Sequence, residues 1–239
     1  MRPRLLVFDL DGTVTHHRTP IEPTTYDCLA SLIPQYKLLM LGAGTCERIH
    51  RQIGKLPIDI LSNYGMEEAV YDETLCGMRT IRYECFPIDR ASVEARILAF
   101  REAHALPVLY GEGLIAYRTG AFTLPVLGSE TPLEKKLTYD PDRKKRVSLL
   151  PDLIARFPDY TVTLSGTSSF DFCPFPYSKY YALDRYAREH GYAHGEIRFF
   201  GNEFFRGGND ESVFLSDIPS VAVEDFRDLP YLLSRALEE

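Results

Sequence analysis

The N-terminal quarter of this chain constrains the fold most, because short apolar runs alternate there with segments of helical spacing. Residues 5–8 are a continuous apolar run, as expected for a strand that is buried on both faces of a parallel sheet. Residues 23–33 and 45–53 have helical spacing, and residues 36–41 and 58–61 are apolar again. This alternation predicts a βαβαβ arrangement around a parallel sheet.

The middle of the chain departs from that alternation. Its pattern predicts strands at residues 80–86, 113–127, 160–164 and 168–173, with a turn at Thr119–Gly120, and helices at residues 91–105 and 142–157. Such a set indicates an α+β unit with a largely antiparallel sheet. From residue 178 the alternation of helix and strand resumes. The predicted fold class is therefore α/β, with a discontinuous core at residues 1–76 and 177–239 and an inserted domain at residues 77–176.

Composition excludes several classes of function. The 239 residues include 27 lysines and arginines against 34 acidic residues, a net charge of −7, and no long basic block. We therefore expect no nucleic-acid partner, because binding to a polyanion depends on clustered cations. The longest apolar runs are far shorter than the roughly 20 residues of a membrane span. We therefore expect no membrane partner. The five cysteines are odd in number and widely spaced, which argues against a disulfide scaffold, so we expect a cytoplasmic protein.

Two acidic residues follow the first predicted strand. Asp9 and Asp11 lie at its carboxyl end, where open α/β sheets bind their ligands. Because they are two positions apart in extended chain, their side chains are expected on the same side. Two carboxylates that face one point repel each other unless a cation lies between them. The pattern therefore predicts a site for a hard, oxygen-liganded ion such as Mg²⁺.

The segment Asp-Leu-Asp-Gly-Thr at residues 9–13 resembles the first motif of the haloacid dehalogenase (HAD) superfamily. Members of that superfamily mostly transfer or cleave phosphoryl groups through an aspartyl-phosphate. The other motifs follow in order: Thr45 after the second strand, Lys179 after the insert, and an acidic loop from Asn202 to Asp210.

This resemblance implies a role for each motif residue. Asp9 is expected to be the nucleophile and Asp11 the general acid and base, while Thr45 and Lys179 neutralise charge on the phosphoryl oxygens. The implied cofactor is Mg²⁺, with the ligands Asp9, Asp11, Asn202 and Asp210.

The similarity narrows to the eukaryotic-type phosphomannomutases and extends over nearly the whole chain. It depends on residues 199–201 and 207–210, on the segment of Ser169 and Asp171, and on Arg18. It implies a Rossmannoid core with an inserted cap of the C2b type, and it makes Arg18, Ser169 and Asp171 candidate contacts of a sugar phosphate. Gly44 and Asn209 are further candidates. Arg18 is equally compatible with a solvated loop charge, and Ser169 and Asp171 with strand positions that face water.

The chain departs from that family at two places. The family has Asp, a magnesium ligand, at the position of Asn202, so we expect weaker metal binding or a direct role for Asp210. The cap arginines that hold the second phosphate of the family's substrates align with Gly111 and Ser129. Losing two charge-assisted hydrogen bonds of roughly 1.5–3 kcal/mol each would weaken binding on the order of a hundredfold or more. Substitute anchors remain at Arg79, Arg82 or Arg118.

These departures favour a Mg²⁺-dependent phosphatase that hydrolyses a small phosphorylated metabolite, with a sugar phosphate preferred. One alternative is a phosphomannomutase or related hexose phosphomutase, which must bind a bisphosphate in two orientations. The other alternative, favoured by Asn202 alone, is a non-catalytic sugar-phosphate-binding protein. The expected partner is the small phosphorylated substrate. The oligomeric state stays open, with a homodimer among the options.

Overall fold

The computed structural model describes residues 2–117 and 119–238, which divide into two units. The first unit contains the chain up to Glu84, residues Lys179–Phe204 and the chain from Asp210 onward. The second contains residues Cys85–Ser178 and Phe205–Asn209. Each unit has a β-sheet and a hydrophobic core of its own.

The strands of the described chain are β1 (Leu5–Phe8), β2 (Lys37–Leu41), β3 (Asp59–Ser62), β4 (Glu67–Asp72), β5 (Gly77–Tyr83), β6 (Ile115–Ala116), β7 (Phe122–Pro125), β8 (Tyr160–Ser165), β9 (Ser169–Pro174), β10 (Ile197–Gly201) and β11 (Ser220–Ala222). The α-helices are α1 (Pro23–Leu32), α2 (Cys46–Gln52), α3 (Arg90–Ala103), α4 (Leu133–Tyr139), α5 (Lys144–Arg156), α6 (Lys179–His190), α7 (Glu211–Phe214) and α8 (Leu229–Glu238). Within the described residues, none of these helices combines the length and the apolar character needed to cross a bilayer.

A seven-stranded sheet organises the first unit, in the order β11-β10-β1-β2-β3-β4-β5. Strands β11, β10, β1, β2 and β3 are parallel, as predicted, and β4 and β5 are antiparallel additions at one edge. β1 lies between β10 and β2, and all four of its residues are buried. The chain segments that leave β1 and β10 at their carboxyl ends are therefore neighbours.

The residues of β1 supply both faces of this sheet, because successive side chains of a strand point to opposite sides. Leu6 and Phe8 belong to a core shared with apolar residues of α1, α2 and α8. Leu5 and Val7 belong to a second core shared with α6 and α7. Helices on both faces explain why residues 5–8 are apolar without alternation.

A four-stranded antiparallel sheet, in the order β6-β7-β9-β8, organises the second unit. One face is apolar and packs with α3 and α5 in a core that includes Phe100, Phe122 and Phe172. The rings of Phe122 and Phe172 stack with their centroids 4.3 Å apart. On the neighbouring positions of β7 and β9, Thr123 and Asp171 are paired in register.

The observed units differ from the expected boundaries. The strand predicted near residues 80–86 is β5, and it pairs with β4 in the first unit, so the second unit begins at Cys85 rather than at residue 77. The sequence does not predict β4, because its segment EEAVYD contains three charged residues. Spacing identifies a strand but not its partner. The first unit resumes at Lys179 rather than at residue 177, and residues 205–209 join the second unit, where Leu164 N–H donates to Gly207 O at 2.7 Å.

Candidate active site

A buried lysine joins two carboxylates at the carboxyl ends of β1 and β10. Lys179 begins α6, and its fully buried Nζ lies 2.5 Å from Asp9 Oδ1 and 2.6 Å from Asp210 Oδ1. Asp9 directly follows β1, and its backbone N–H donates to Phe200 O of β10 at 2.9 Å. The structure therefore brings together three residues that the sequence predicts as separate motifs of one site.

Burial and charge set the protonation of this group. Burial raises the pKa of Asp9 to about 6, an increase that Lys179 opposes and Asp210 reinforces. Burial lowers the pKa of Lys179, but the carboxylates of Asp210 and Asp9 outweigh that effect and hold the pKa above its ordinary value. Lys179 is therefore a permanent cation at neutral pH. Removing Lys179 would leave two buried carboxylates without a cation, at a cost of roughly 3–5 kcal/mol of stability.

Asp210 fixes the loop that follows β10. Its Oδ2 accepts hydrogen bonds from the backbone N–H groups of Asn202, at 3.1 Å, and Glu203, at 2.9 Å, while its Oδ1 faces Lys179. A Cβ at Gly201 would lie 2.7 Å from Asp210 Oδ2, so glycine lets the carboxylate approach the loop. Because both oxygens already have protein donors, this arrangement favours an organising role for Asp210.

A side-chain oxygen of Asp9 and one of Asn202 both lie within reach of the Thr13 hydroxyl. Thr13 Oγ1 lies 3.4 Å from Asp9 Oδ2 and 3.4 Å from Asn202 Oδ1. A hydroxyl has one proton, so it satisfies only one of these acceptors at a time. Gly12 has a φ of +91°, and a Cβ there would lie 2.2 Å from Asn202 Nδ2. Glycine therefore permits both this backbone conformation and the close approach of Asn202.

These oxygens form a donor set that suits Mg²⁺. Asp9 contributes a carboxylate oxygen and Asn202 an amide oxygen, which are both hard ligands. Mg²⁺ usually keeps several water molecules and needs one or two carboxylates from the protein. Within residues 2–117 and 119–238, no three His, Cys, Asp or Glu side chains cluster in a way that could hold a metal ion. The fit therefore depends on Asp9 and Asn202 together.

Asp11 has a different set of partners from Asp9. Its Oδ1 accepts from the backbone N–H of Arg18 and from Gln52 Nε2, both at 2.8 Å, and its Oδ2 lies 3.0 Å from Arg48 Nη1. Burial raises the pKa of Asp11, but these hydrogen bonds and the Arg48 charge outweigh it and hold the pKa below its ordinary value. The sequence predicts that both carboxylates face one point. Among the described residues they share no hydrogen-bond partner.

Thr45 and Gly44 lie in the loop before α2. Thr45 is exposed and caps the helix, because its Oγ1 accepts from Arg48 N–H at 3.4 Å. The N–H of Cys46 donates to Glu67 Oε2 at 3.0 Å, so a carboxylate of the protein already lies at the start of α2. Gly44 lies against the guanidinium of Arg48. The contribution of Thr45 to phosphate binding stays a prediction.

The other candidate residues divide between the two units. In the first, Arg18 is exposed, has a φ of +57°, and contacts Asp11 through its backbone N–H. In the second, Ser169 begins β9, and Asp171 Oδ1 accepts from Thr123 Oγ1 at 2.6 Å. Asn209 Oδ1 is buried and has no hydrogen-bond partner among the described residues. The roles of these residues toward a substrate stay predictions.

Two residues of the site, Arg48 and Gln52, are absent from the sequence motifs. They are four positions apart on α2, a spacing that places two side chains on the same face of a helix. The sequence feature that could have identified them is a pair of polar residues four positions apart on the helix that directly follows the predicted ligand loop.

Comparison with known proteins identifies relatives over most of the chain. The profile of the eukaryotic phosphomannomutase family matches residues 92–225. A phosphomannomutase of Triticum aestivum is 27% identical over 223 residues, which cover 89% of this chain and 86% of that protein. The predicted resemblance is therefore confirmed.

Two solved structures share the fold. The IMP-bound, N-terminally truncated IMP-nucleotidase of Plasmodium falciparum has a TM-score of 0.71 at 11% identity, over 100% of this chain and 69% of that chain. A haloacid dehalogenase-like hydrolase from B. subtilis has a TM-score of 0.63 at 14% identity, over 95% of this chain and 92% of that chain. Together with the parallel core sheet, they confirm the predicted fold class, an α/β HAD-like core with a cap.

Proposed function

The chain belongs to the eukaryotic phosphomannomutase family, and from this premise we propose that it is a sugar-phosphate enzyme that transfers a phosphoryl group through Asp9. The observation that carries the proposal is the buried Lys179, which contacts Asp9 and Asp210. Catalysis of phosphoryl transfer consists mainly of positioning and electrostatic stabilisation. A fixed cation beside a carboxylate nucleophile provides both.

In the first step, an oxygen of Asp9 forms a bond to phosphorus while the bond between phosphorus and the sugar oxygen breaks. Lys179 holds Asp9 in place and offsets the charge that accumulates as an anionic substrate meets an anionic nucleophile. Asp11 gives a proton to the departing sugar oxygen. Because its pKa is lowered in the ligand-free protein, Asp11 first takes up that proton, and the negative charge of the bound substrate beside it favours the uptake. Asp9 and Asn202 would hold Mg²⁺, which when bound would neutralise further charge on the phosphoryl oxygens.

In the second step, an acceptor oxygen attacks the aspartyl-phosphate, loses its proton to Asp11 and frees Asp9. Relatives with the name phosphomannomutase support a sugar hydroxyl as the acceptor, which makes the protein a hexose phosphomutase. The same family resemblance supports a further set of proposed roles. The proposed substrate contacts are Arg18, Gly44, Ser169, Asp171 and Asn209. Thr45 is proposed to donate a hydrogen bond to the phosphoryl oxygens, and Asp11 and Asp210 are the further proposed residues of the metal site, where Asp210 orders the loop that carries Asn202.

A phosphatase, with water as the acceptor, is the second candidate function. The observation that favours it is the chemistry of Gly111, before β6, and Ser129, after β7, the positions that align with phosphate-binding arginines of the family. Gly111 has a φ of +76°, and Ser129 Oγ accepts from Glu112 N–H at 2.9 Å. Both residues shape the backbone of these two segments, and neither supplies a cation for a second phosphate.

Arg79 and Arg82, which the sequence offers as substitutes for the missing phosphate-binding arginines, are both paired with carboxylates of the first unit. Arg79 pairs with Asp72 at 3.1 Å, and Arg82 pairs with Glu68 at 2.9 Å and Glu189 at 2.6 Å. The third anchor, Arg118, lies outside the described residues. A substrate with a single phosphate therefore fits this chain at least as well as a bisphosphate.

One assay separates the two functions. The full chain is incubated with Mg²⁺, a hexose 1-phosphate and a trace of hexose bisphosphate, and the products are followed by phosphorus NMR. Net formation of the 6-phosphate supports the mutase, and release of inorganic phosphate supports the phosphatase. Asp9→Asn must abolish either activity. If turnover persists in that variant, phosphoryl transfer does not proceed through this site.

A further inference from the structure

Two side chains of α2 hold the carboxylate of Asp11. Gln52 Nε2 donates to Asp11 Oδ1 at 2.8 Å, and Arg48 Nη1 donates to Asp11 Oδ2 at 3.0 Å. Each carboxylate oxygen thus has its own side-chain partner, and the backbone N–H of Arg18 adds a third donor at 2.8 Å. These contacts fix both the position of the carboxylate and its rotation about χ2.

The network around Asp11 is closed. Gln52 is 7% exposed, and its amide nitrogen donates to Thr15 Oγ1 at 2.7 Å in addition to Asp11. Its amide oxygen accepts from Arg48 Nη1 at 3.0 Å. An amide offers two donors and an acceptor, and Gln52 uses all of them within this group. Gln52 and Thr15 are buried while Arg48 and Asp11 are half-buried, and a satisfied network of this kind restricts the movement of its members.

Gly44 leaves room for the Arg48 side chain. A Cβ at position 44 would lie 2.3 Å from Arg48 Nε and 2.6 Å from its Cζ. A larger residue there would therefore displace the guanidinium from its path to Asp11. This observation gives Gly44 a function in the arrangement of Asp11, independent of any contact with substrate.

We propose that Arg48 and Gln52 are positioning residues that aim Asp11 for proton transfer. The inference depends on the proposed function, in which Asp11 gives one proton to the departing sugar oxygen and recovers one from the attacking hydroxyl or water. Proton transfer requires the carboxyl group within hydrogen-bond reach of the reacting oxygen. Neither Arg48 nor Gln52 contacts Asp9 or Lys179 within the described residues, so their effect passes through Asp11.

The test is a double-mutant cycle in the full chain. Arg48→Met and Gln52→Met are each made alone and combined with Asp11→Asn, and kcat and KM are measured with the hexose phosphate and Mg²⁺. Each single variant is expected to lower kcat about tenfold with little change in KM, because proton transfer typically contributes 10²–10⁴-fold and only part of it is lost. In the Asp11→Asn background, the same substitutions should cost nothing further.

Two matched variants make the result specific. Arg51→Met removes an exposed arginine from the same helix and should leave kcat unchanged. Arg48→Lys retains one donor and should recover part of the lost kcat. Melting temperatures show whether each variant is folded. Gln52 is buried, so its replacement is the variant that risks unfolding. Arg48 is partly exposed, so the Arg48→Met variant tests the proposal even if the Gln52→Met variant does not fold.

Three outcomes overturn the proposal. Wild-type kcat in both single variants would show that Asp11 needs no such support. An increase in KM without a loss of kcat, or a loss that persists in the Asp11→Asn background, would show that Arg48 contacts the substrate instead. Single-turnover reactions with excess enzyme keep the slow Asp11→Asn reactions measurable. If Asp9→Asn retains activity, the proposed function itself fails. If Asp9→Asn is inactive but the Arg48 and Gln52 variants have wild-type kcat, only the positioning role is rejected.

Discussion

Each unit of the molecule buries a cation, and the two cations have different surroundings. Lys179, in the first unit, is 0% exposed and contacts the carboxylates of Asp9 and Asp210. Arg146, in the second unit, is 1% exposed and pairs with Asp140 at 2.8 Å. Arg146 Nη1 also donates to the backbone oxygens of residues 165, 166 and 169, at 3.1, 3.0 and 3.3 Å.

The partners of each cation indicate its function. Arg146 links α5 to the turn between β8 and β9, and Asp140 is saturated by the backbone N–H groups of Lys145, at 3.0 Å, and Arg146, at 3.1 Å. Both oxygens of Asp140 have protein donors and its side chain is fully buried, so no ligand can reach it. Asp9, in contrast, has one oxygen on Lys179 and the other on a hydroxyl 3.4 Å away that Asn202 shares. A buried ion pair that is saturated by backbone holds a structure together, whereas one with a weakly bound oxygen is available for chemistry.

The largest contrast is expected between the two aspartates. Asp9→Asn should lower kcat at least about 10³-fold, because an amide oxygen cannot serve as the nucleophile. Asp140→Asn should leave the kcat of the folded protein largely unchanged and lower the free energy of unfolding by roughly 3–5 kcal/mol, because Arg146 loses its buried counter-charge. Initial rates and urea denaturation measure the two effects. Equal losses of activity in both variants would contradict the comparison.

The next prediction compares variants in which each of the two buried cations is replaced by methionine. Lys179→Met and Arg146→Met should each lower the free energy of unfolding by roughly 3–5 kcal/mol, because each leaves a buried carboxylate without its cation. Lys179→Met should also lower the kcat of the folded protein about 10²–10³-fold, as expected when a preorganised electrostatic contact to the transition state is lost. The assay is run well below the melting temperature of each variant. A wild-type kcat in folded Lys179→Met would assign that lysine a purely structural role.

The sequence predicts the proposed catalytic residues of this site better than the residues that hold them in position. Asp9 is predictable because it follows a recognisable strand, whose carboxyl end lies at the ligand edge of a parallel sheet. Lys179 and Asp210 are predicted only through the resemblance of their motifs to the family, taken in order with the first motif. The partners of Asp11 are not predictable in the same way. Arg48 and Gln52 reach it only because of the rotation of α2 about its axis, which depends on tertiary packing.

The fold shows a similar limit. Short continuous apolar runs indicate the parallel strands β1, β2 and β3, because a strand that is buried on both faces needs no polar side chains. The antiparallel strands β4 and β5 are half exposed and contain several charged residues, so their sequences have little apolar pattern. As a result, the sequence predicts β5 as a strand and assigns it to the wrong unit.

A smaller effect concerns the pH dependence of stability without metal. The pKa of Asp9 is raised from 3.8 to about 6, so the folded state favours the protonated carboxyl. That contribution is complete below the ordinary pKa and is lost as the pH rises through about 6. Between about pH 4 and pH 7, metal-free wild type should therefore lose about 2–3 kcal/mol relative to Asp9→Asn.

Urea denaturation of both proteins in the presence of a chelator, across that pH range, measures the difference. Wild type and Asp9→Asn should have converging stabilities toward the acidic end, where both side chains are neutral. If the difference between them grows as the pH falls, the ion pair with Lys179 dominates over burial, and Asp9 has a lowered pKa instead.

The smallest effect concerns the shared hydroxyl beside Asp9. Asn202→Asp places a second carboxylate oxygen near Asp9 Oδ2, and it should lower the Mg²⁺ concentration for half-maximal activity about tenfold, which corresponds to about 1.4 kcal/mol. Gln35→Glu makes the same change of charge at an exposed position before β2, at the opposite end of the sheet, and should leave the Mg²⁺ requirement unchanged. A Mg²⁺ requirement that is unaltered in Asn202→Asp would exclude this side chain as a ligand. Equal shifts in both variants would instead attribute the change to net charge, because a surface charge acts on any cation within about a Debye length.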